Sequence, residues 1–286
     1  MKNRRLAIIL TMLLFIAVVV VLSSTVFSLS AIEVKFYSTT NNLTNLNDSI
    51  IESGNFNIGE NVLFLNKTLH TNMLEKANPY LKVLNLETVF PNKIYINAME
   101  RNEVFAIKLS DNSYVVCDEE LKVLKTQSAY YNHAQNAMEL FVTTTEENLS
   151  AGDFLTTSKN NLILNSFVAL KEWDLSYVNL KAKIKSITID YDDRINQIMI
   201  EMRSGVKIII YEADKYVSDK MNLAFSFYEN TENDYTSEGV IEIRQLNNGQ
   251  ITGFYYREIW NTFSKENKIY KSNIKKISTF KKIYNY

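Results

Sequence analysis

The sequence predicts an α+β protein. A single N-terminal transmembrane helix comes first, then a β-α-α-β-β-β domain, then a mixed β-rich domain with two helices. Three observations carry this. A basic start is followed by a long apolar run. Residues 78–107 (NPYLKVLNLETVFPNKIYINAMERNEVFAI) read as helix stop, strand, proline turn, strand, polar break and strand. Late in the chain, two apolar segments flank Asn247-Asn248-Gly249-Gln250, and Asn-Gly is the strongest short hairpin signal.

At 286 residues there is room for one large domain or two small ones. Only 7 Gly and 2 Pro are present, so the chain is no flexible linker and can bury a core. The formal net charge of −1 is uneven. Residues 1–5 carry +3, residues 257–286 carry +6, and the body between them carries −10. An acidic body argues against nucleic-acid binding there. The single Cys117 forms no internal disulfide, and with only His70 and His133 beside it a Cys/His zinc cluster is excluded.

In chain order, residues 1–5 are a cytoplasmic stub and residues 6–30 the transmembrane helix. Residues 6–22 are apolar apart from Thr11, and the run through residue 29 would reach roughly 36 Å as helix. The hydrocarbon core needs about 30 Å, and Lys2, Arg4 and Arg5 place the N-terminus inside and the bulk of the chain outside. The competing reading is a signal peptide cleaved near Ser28-Leu29-Ser30.

Residues 31–125 form the first domain. Residues 32–37 alternate as a strand. Residues 49–53 make a short helix before Gly54, and residues 67–77 a second one with Leu69, Met73, Leu74 and Ala77 on one side. Asn78-Pro79 stops it, because proline and the residue before it resist helix. Residues 81–89 are extended, Phe90-Pro91-Asn92 turns, and Ile94, Ile96 and Ala98 share one face of the next strand. Residues 104–109 and 114–117 are two more strands.

Residues 126–259 form the β-rich domain. Strands are predicted at 138–143, 184–190, 195–203, 206–211, 239–245 and 251–259. Helices fall at 160–173, with Leu164, Phe167, Leu170 and Trp173 at helical spacing, and at 215–228. Residues 260–286 are a basic C-terminal tail. Tyr270, Ile274, Ile277 and Tyr284 fall near one helical face and Lys271, Lys275 and Lys282 on another. That pattern suits a basic amphipathic helix against anionic lipid or wall polymer, or a frayed terminus.

Several segments together resemble the FtsQ/DivIB family of bacterial cell-division proteins. They are Ile32-Glu33-Val34, Gly59-Glu60-Asn61-Val62-Leu63-Phe64-Leu65, Asn78-Pro79-Tyr80-Leu81 and Phe90-Pro91-Asn92-Lys93-Ile94-Tyr95-Ile96. Glu100-Arg101-Asn102-Glu103-Val104-Phe105-Ala106, Gly205-Val206-Lys207-Ile208, Lys220-Met221-Asn222-Leu223 and Val240-Ile241-Glu242-Ile243-Arg244 continue the series. Tyr37-Ser38 stands where the family has a glycine, Glu103 where proline is common, and the tail beyond Ile259 matches no family pattern. The resemblance implies a POTRA-like first domain and a non-enzymatic divisome scaffold without cofactors. It also implies partners of the FtsB/DivIC and FtsL type, bitopic coiled-coil proteins, and a place in the cell membrane at the septum. From there the protein would help couple septum assembly to peptidoglycan synthesis.

No nucleophile elbow, phosphate loop or zinc-helix motif is present. Asp190, Asp192 and Asp193 lack the glycine and glutamate spacing of a calcium loop and read as a solvated turn. Glu100-Arg101 reads as an ion pair ending a strand. The candidate site is instead a binding edge. Residues 251–256 end the hairpin series, and an edge strand presents unpaired N–H and C=O groups to which a partner strand can add. Ile251, Thr252, Phe254, Tyr255 and Tyr256, with Arg244 beside them, are the candidate partner-binding residues. The alternative for this edge is coverage by the chain's own tail. Other functional classes are an anchored or secreted surface-binding protein and an extracytoplasmic hydrolase.

Overall fold

The structure, a computed structural model, describes residues 2–37, 46–143, 149–190, 196–229, 239–257 and 275–278. The chain divides into two compact units, Met1–Arg101 and Asn102–Tyr286.

The first unit opens with helix α1 (Lys2–Val26). Among the described residues no helix is long and apolar enough to cross a membrane. This corrects the transmembrane, membrane-anchored and single-pass expectations. The side chains of residues 2–8, 19, 22 and 23 lie outside the described ones.

After α1 the backbone ties itself to the Gly59–Val62 region. Val62 donates to the Phe27 carbonyl at 2.9 Å, Leu29 to Glu60 at 2.7 Å and Gly59 to Leu29 at 2.8 Å. Gly59 sits at φ +96°, which a side chain would resist. Strand β1 (Ala31–Phe36) follows, then α2 (Asn47–Ser53) and α3 (Lys67–Ala77). Asn66 caps α3 by accepting from the Leu69 N–H at 3.1 Å. Strands β2 (Leu81–Val89) and β3 (Lys93–Glu100) complete a three-stranded sheet in the order β1-β3-β2. The Phe90–Pro91 peptide in their turn is cis. Ile50 of α2 and Leu74 of α3 are buried with Leu81, Leu86, Ile96 and Ala98. His70 Nδ1 donates to the Gly54 carbonyl, 2.8 Å away, and the ring stacks on Phe56 with centroids 4.4 Å apart.

The second unit contains β4 (Phe105–Lys108), β5 (Tyr114–Cys117), β6 (Val123–Gln127) and β7 (Met138–Phe141). It continues with α4 (Asn160–Trp173), α5 (Tyr177–Lys183), β8 (Ile184–Ile189), β9 (Ile198–Met202), β10 (Lys207–Ile210) and α6 (Val217–Tyr228). Strands β11 (Val240–Gln245), β12 (Ile251–Arg257) and β13 (Lys275–Ser278) end it. All these strands join one ten-stranded sheet, ordered β13-β12-β11-β10-β9-β8-β7-β4-β5-β6.

This corrects the α+β reading to a mixed α/β architecture with one large sheet. The expected β-α-α-β-β-β unit does not form, because β4 and β5 leave the first sheet. Strand β4 pairs with β5 antiparallel and with β7 parallel. The polar break at residues 100–102 is the division between units rather than a turn inside one. Arg101 is 6% exposed and holds the end of β3 to its own unit. Its Nη2 donates to Glu75 Oε2 at 2.9 Å and its Nε to the Leu81 carbonyl at 3.2 Å.

Two parallel crossovers build the helical layer: β7 to β8 through α4 and α5, and β10 to β11 through α6. Strands β8 and β10 run the same way, since both are antiparallel to β9. Right-handed connections shifting in the same direction put their helices on one face. Accordingly α4 meets α6, with Trp173 stacked on Phe225 at 3.8 Å between centroids and 4° between planes. Under them runs an apolar row straight across six strands: Leu140, Ile187, Ile200, Ile208, Ile241 and Tyr255. Each is at most 4% exposed.

Candidate functional site

The β11–β12 hairpin closes as its residues dictate. Leu246 N–H donates to the Gln250 carbonyl at 2.8 Å and Gly249 N–H to Leu246 at 2.9 Å, with Gly249 at φ +83°. Side chains alternate across the sheet, so the hairpin sorts the candidate residues into two sets. Ile251 (2% exposed) and Tyr255 (4%) face α6 and belong to the core, not to an outer surface. Gly253 shares that face. A Cβ there would lie 2.6 Å from the Phe227 ring of α6, so glycine is what lets β12 approach the helix.

Arg244, Thr252 and Phe254 lie on the opposite face. Arg244 is exposed, and its Nη2 donates to Glu242 Oε2 at 2.6 Å and to the Tyr211 hydroxyl at 3.3 Å. Its guanidinium lies 4.4 Å from the Tyr211 ring centroid. Partial burial alone would lower the guanidinium pKa, but the Glu242 carboxylate and Tyr211 outweigh it and raise the value. The Tyr211 pKa is raised by burial and by Glu242.

Thr252, a candidate contact residue, is 4% exposed, and its Oγ1 makes no hydrogen bond among the described residues. Phe254 is half-buried, and the Tyr256 side chain lies outside the described residues.

Register adds two residues that sequence reasoning missed. Arg244 pairs directly with Thr252. Ile243 and Ile198 both flank Ile210, so one step further Tyr211 stands between Arg244 and Gln197. Thr252, Arg244, Tyr211 and Gln197 therefore form one row across four strands. Gln197, at the far end, is 2% exposed, and its Oε1 also has no hydrogen-bond partner among the described residues. The only sequence signal for this row is the strand-helix-strand order at 206–245, which implies a parallel pair.

The outer edge of β12 is divided. The 246–250 hydrogen bond sets the antiparallel alternation, so Thr252, Phe254 and Tyr256 turn their backbone groups to β11. Ile251, Gly253, Tyr255 and Arg257 turn theirs outward. Among the described residues, strand β13 pairs with Tyr255, Tyr256 and Arg257, with a register irregularity between Tyr255 and Tyr256. The tail thus takes part of the edge, and the helix expected through Lys275 and Ile277 is a strand there. Tyr270, Lys271, Ile274, Lys282 and Tyr284 lie outside the described residues.

The other singled-out residues have structural settings. Asp190 accepts from the Asn196 N–H at 2.7 Å and pairs with Lys159 at 3.1 Å, while Asp192 and Asp193 lie outside the described residues. His133 gives its carbonyl to Arg203 at 3.0 Å. No protein-family model matches the chain, and no curated protein matches it.

Proposed function

We propose that this chain is a non-enzymatic scaffold that docks partner proteins at the β11–β12 end of its large sheet. The observation that carries this is the divided β12 edge beside the Thr252–Arg244–Tyr211–Gln197 row. An arginine stacked on a tyrosine, next to half-buried Phe254, supplies the side-chain types enriched in binding hot spots. The edge of β12 would supply backbone hydrogen bonds for an added strand. The resemblance to FtsQ/DivIB adds the partner class: small coiled-coil proteins of the FtsB/DivIC and FtsL type, through which septum assembly is coupled to peptidoglycan synthesis.

The test is a photo-crosslinking amino acid at Phe254 of the full chain in growing cells. Capture of a small coiled-coil protein is the expected result. In addition, Arg244→Ala should lower capture about tenfold, the scale of a hot-spot contact worth about 1.4 kcal/mol. Recovery of wall polymer alone, or of no protein, sinks the scaffold reading.

A further inference from the structure

We propose that the first unit carries a docking edge of its own, at β2, which takes an extended polypeptide segment with apolar side chains at alternate positions. This edge is separate from β12 and independent of the scaffold reading. A groove of about 450 Å³ runs between β2 and the segment leading into α3. Its size falls within the range of ligand sites, about 300–1,000 Å³. Residues 85–88 all line it, and every residue around it is a described one. Successive side chains of a strand alternate between faces, so a groove that touches four in a row lies along the strand's edge.

Backbone alternation decides what faces this groove. Tyr37 N–H donates to the Ala98 carbonyl at 3.0 Å, so Ala98, and with it Ile96 and Ile94, turn their backbone groups toward β1. Their partners on β2 turn theirs the other way. Leu86, opposite Ile96, and Thr88, opposite Ile94, therefore direct N–H and C=O groups away from β3 and into the groove. Val83, opposite Ala98, has the same orientation, and its N–H is taken by Glu75 Oε1 of α3 at 2.8 Å. A side chain thus closes the edge at Val83, a bulge follows it, and the groove opens beyond, at residues 85–88.

These groups set the occupant. Outward N–H and C=O groups at two positions, one residue apart, match the backbone of an added strand lying about 4.8 Å away. The wall of the groove sets its side chains. Val62 and Leu65 are 2% and 9% exposed and pack with Ile94 of β3. Leu86 and Thr88 share the Ile94 face of the sheet, so every second side chain of an added strand meets this apolar wall. Phe90, 63% exposed, lines the groove at the end of β2 and extends the apolar surface. Lys67 and Glu87 line it with opposite charges, which balances the groove and leaves selection to apolar side chains.

The probe is a phage-displayed library of random octapeptides selected on the full-length chain. Enriched sequences are then synthesised with a fluorophore and titrated by anisotropy. Peptides with apolar residues at alternate positions are expected. N-methylating every second residue of such a peptide should weaken binding at least about tenfold in one of the two alternating sets and leave it unchanged in the other, since only one set faces β2. Thr88→Pro removes an outward N–H, a change that an edge strand tolerates, and should also weaken binding about tenfold with circular dichroism unchanged. Three results overturn the proposal: no enriched peptide, equal binding by both N-methylated sets, or full binding by a folded T88P chain. The peptide comparison holds even if T88P fails to fold, because it leaves the protein unaltered. Crosslinking at Phe254 reads a different surface, so each proposal can fail without the other.

Discussion

At the scale of single residues, buried polar groups carry the sharpest consequences. Arg101 and Glu75 form an ion pair with side chains only 3% and 14% exposed, and Glu75 Oε1 also accepts from the Val83 N–H at 2.8 Å. Breaking a buried pair from one side strands a charge, so Arg101→Ala should destabilise the first unit by about 3–5 kcal/mol in urea unfolding. Arg101→Met with Glu75→Leu should cost much less, since neither charge is then left alone. If the double variant is as unstable as the single one, the pair is not what holds the end of β3. Lys220 is a buried charge of another kind, with no carboxylate at ion-pair distance among the described residues. It is fully buried, and its Nζ donates to the Tyr211 and Glu212 carbonyls at 2.9 and 2.6 Å. Cys117 is fully buried in β5, and desolvation, with Asp118 adding to it, pushes its thiol well above the usual range. A thiol held protonated and out of water does not react. The folded chain at pH 8 should therefore resist a disulfide reagent for hours and label at once in denaturant. Rapid stoichiometric labelling of the native chain would contradict that burial.

At the scale of elements, the helical layer and the sheet depend on two close approaches. Gly253 lets β12 run against Phe227 of α6. Gly253→Ala should overpack that contact by about 1–3 kcal/mol, and Phe227→Leu in the same chain should recover part of the loss. Additive losses would mean the two positions do not meet. The stack of Trp173 on Phe225 joins α4 to α6, and Trp173 Nε1 donates to Glu229 Oε1 at 2.8 Å. Phe225→Ala removes a ring that is 1% exposed, so a loss of about 3–5 kcal/mol is expected. The Trp173 emission should shift to the red before global unfolding, because its partner face is then open to water.

At the scale of the whole molecule, the two units hold separate cores. One lies around Ile50, Leu74 and Ile96, and the other beneath α4 and α6. Calorimetry should resolve two transitions, and Arg101→Ala should lower the midpoint of one while leaving the other in place. A single transition moved as a whole by that substitution would show that the units unfold together. The proposed docking end belongs wholly to the second unit. Variants that destabilise the first unit should therefore leave crosslinking at Phe254 unchanged.

What the sequence by itself determined is whatever depends on local period and local chemistry. Residues 67–77 are helical and stop at Asn78-Pro79, and Ile94, Ile96 and Ala98 share a buried strand face. Asn248-Gly249 turns β11 into β12. Helix and strand periods and turn residues act over a few positions, so these features are legible without knowing the neighbours. Only the tertiary structure decided which strands lie side by side. It moved β4 and β5 into the large sheet, and its parallel β10–β11 pairing placed Tyr211 against Arg244. It turned Ile251 and Tyr255 into core residues and laid β13 on β12. Pairing between distant strands depends on which edges stay free and which faces the helices cover, and no local pattern encodes either.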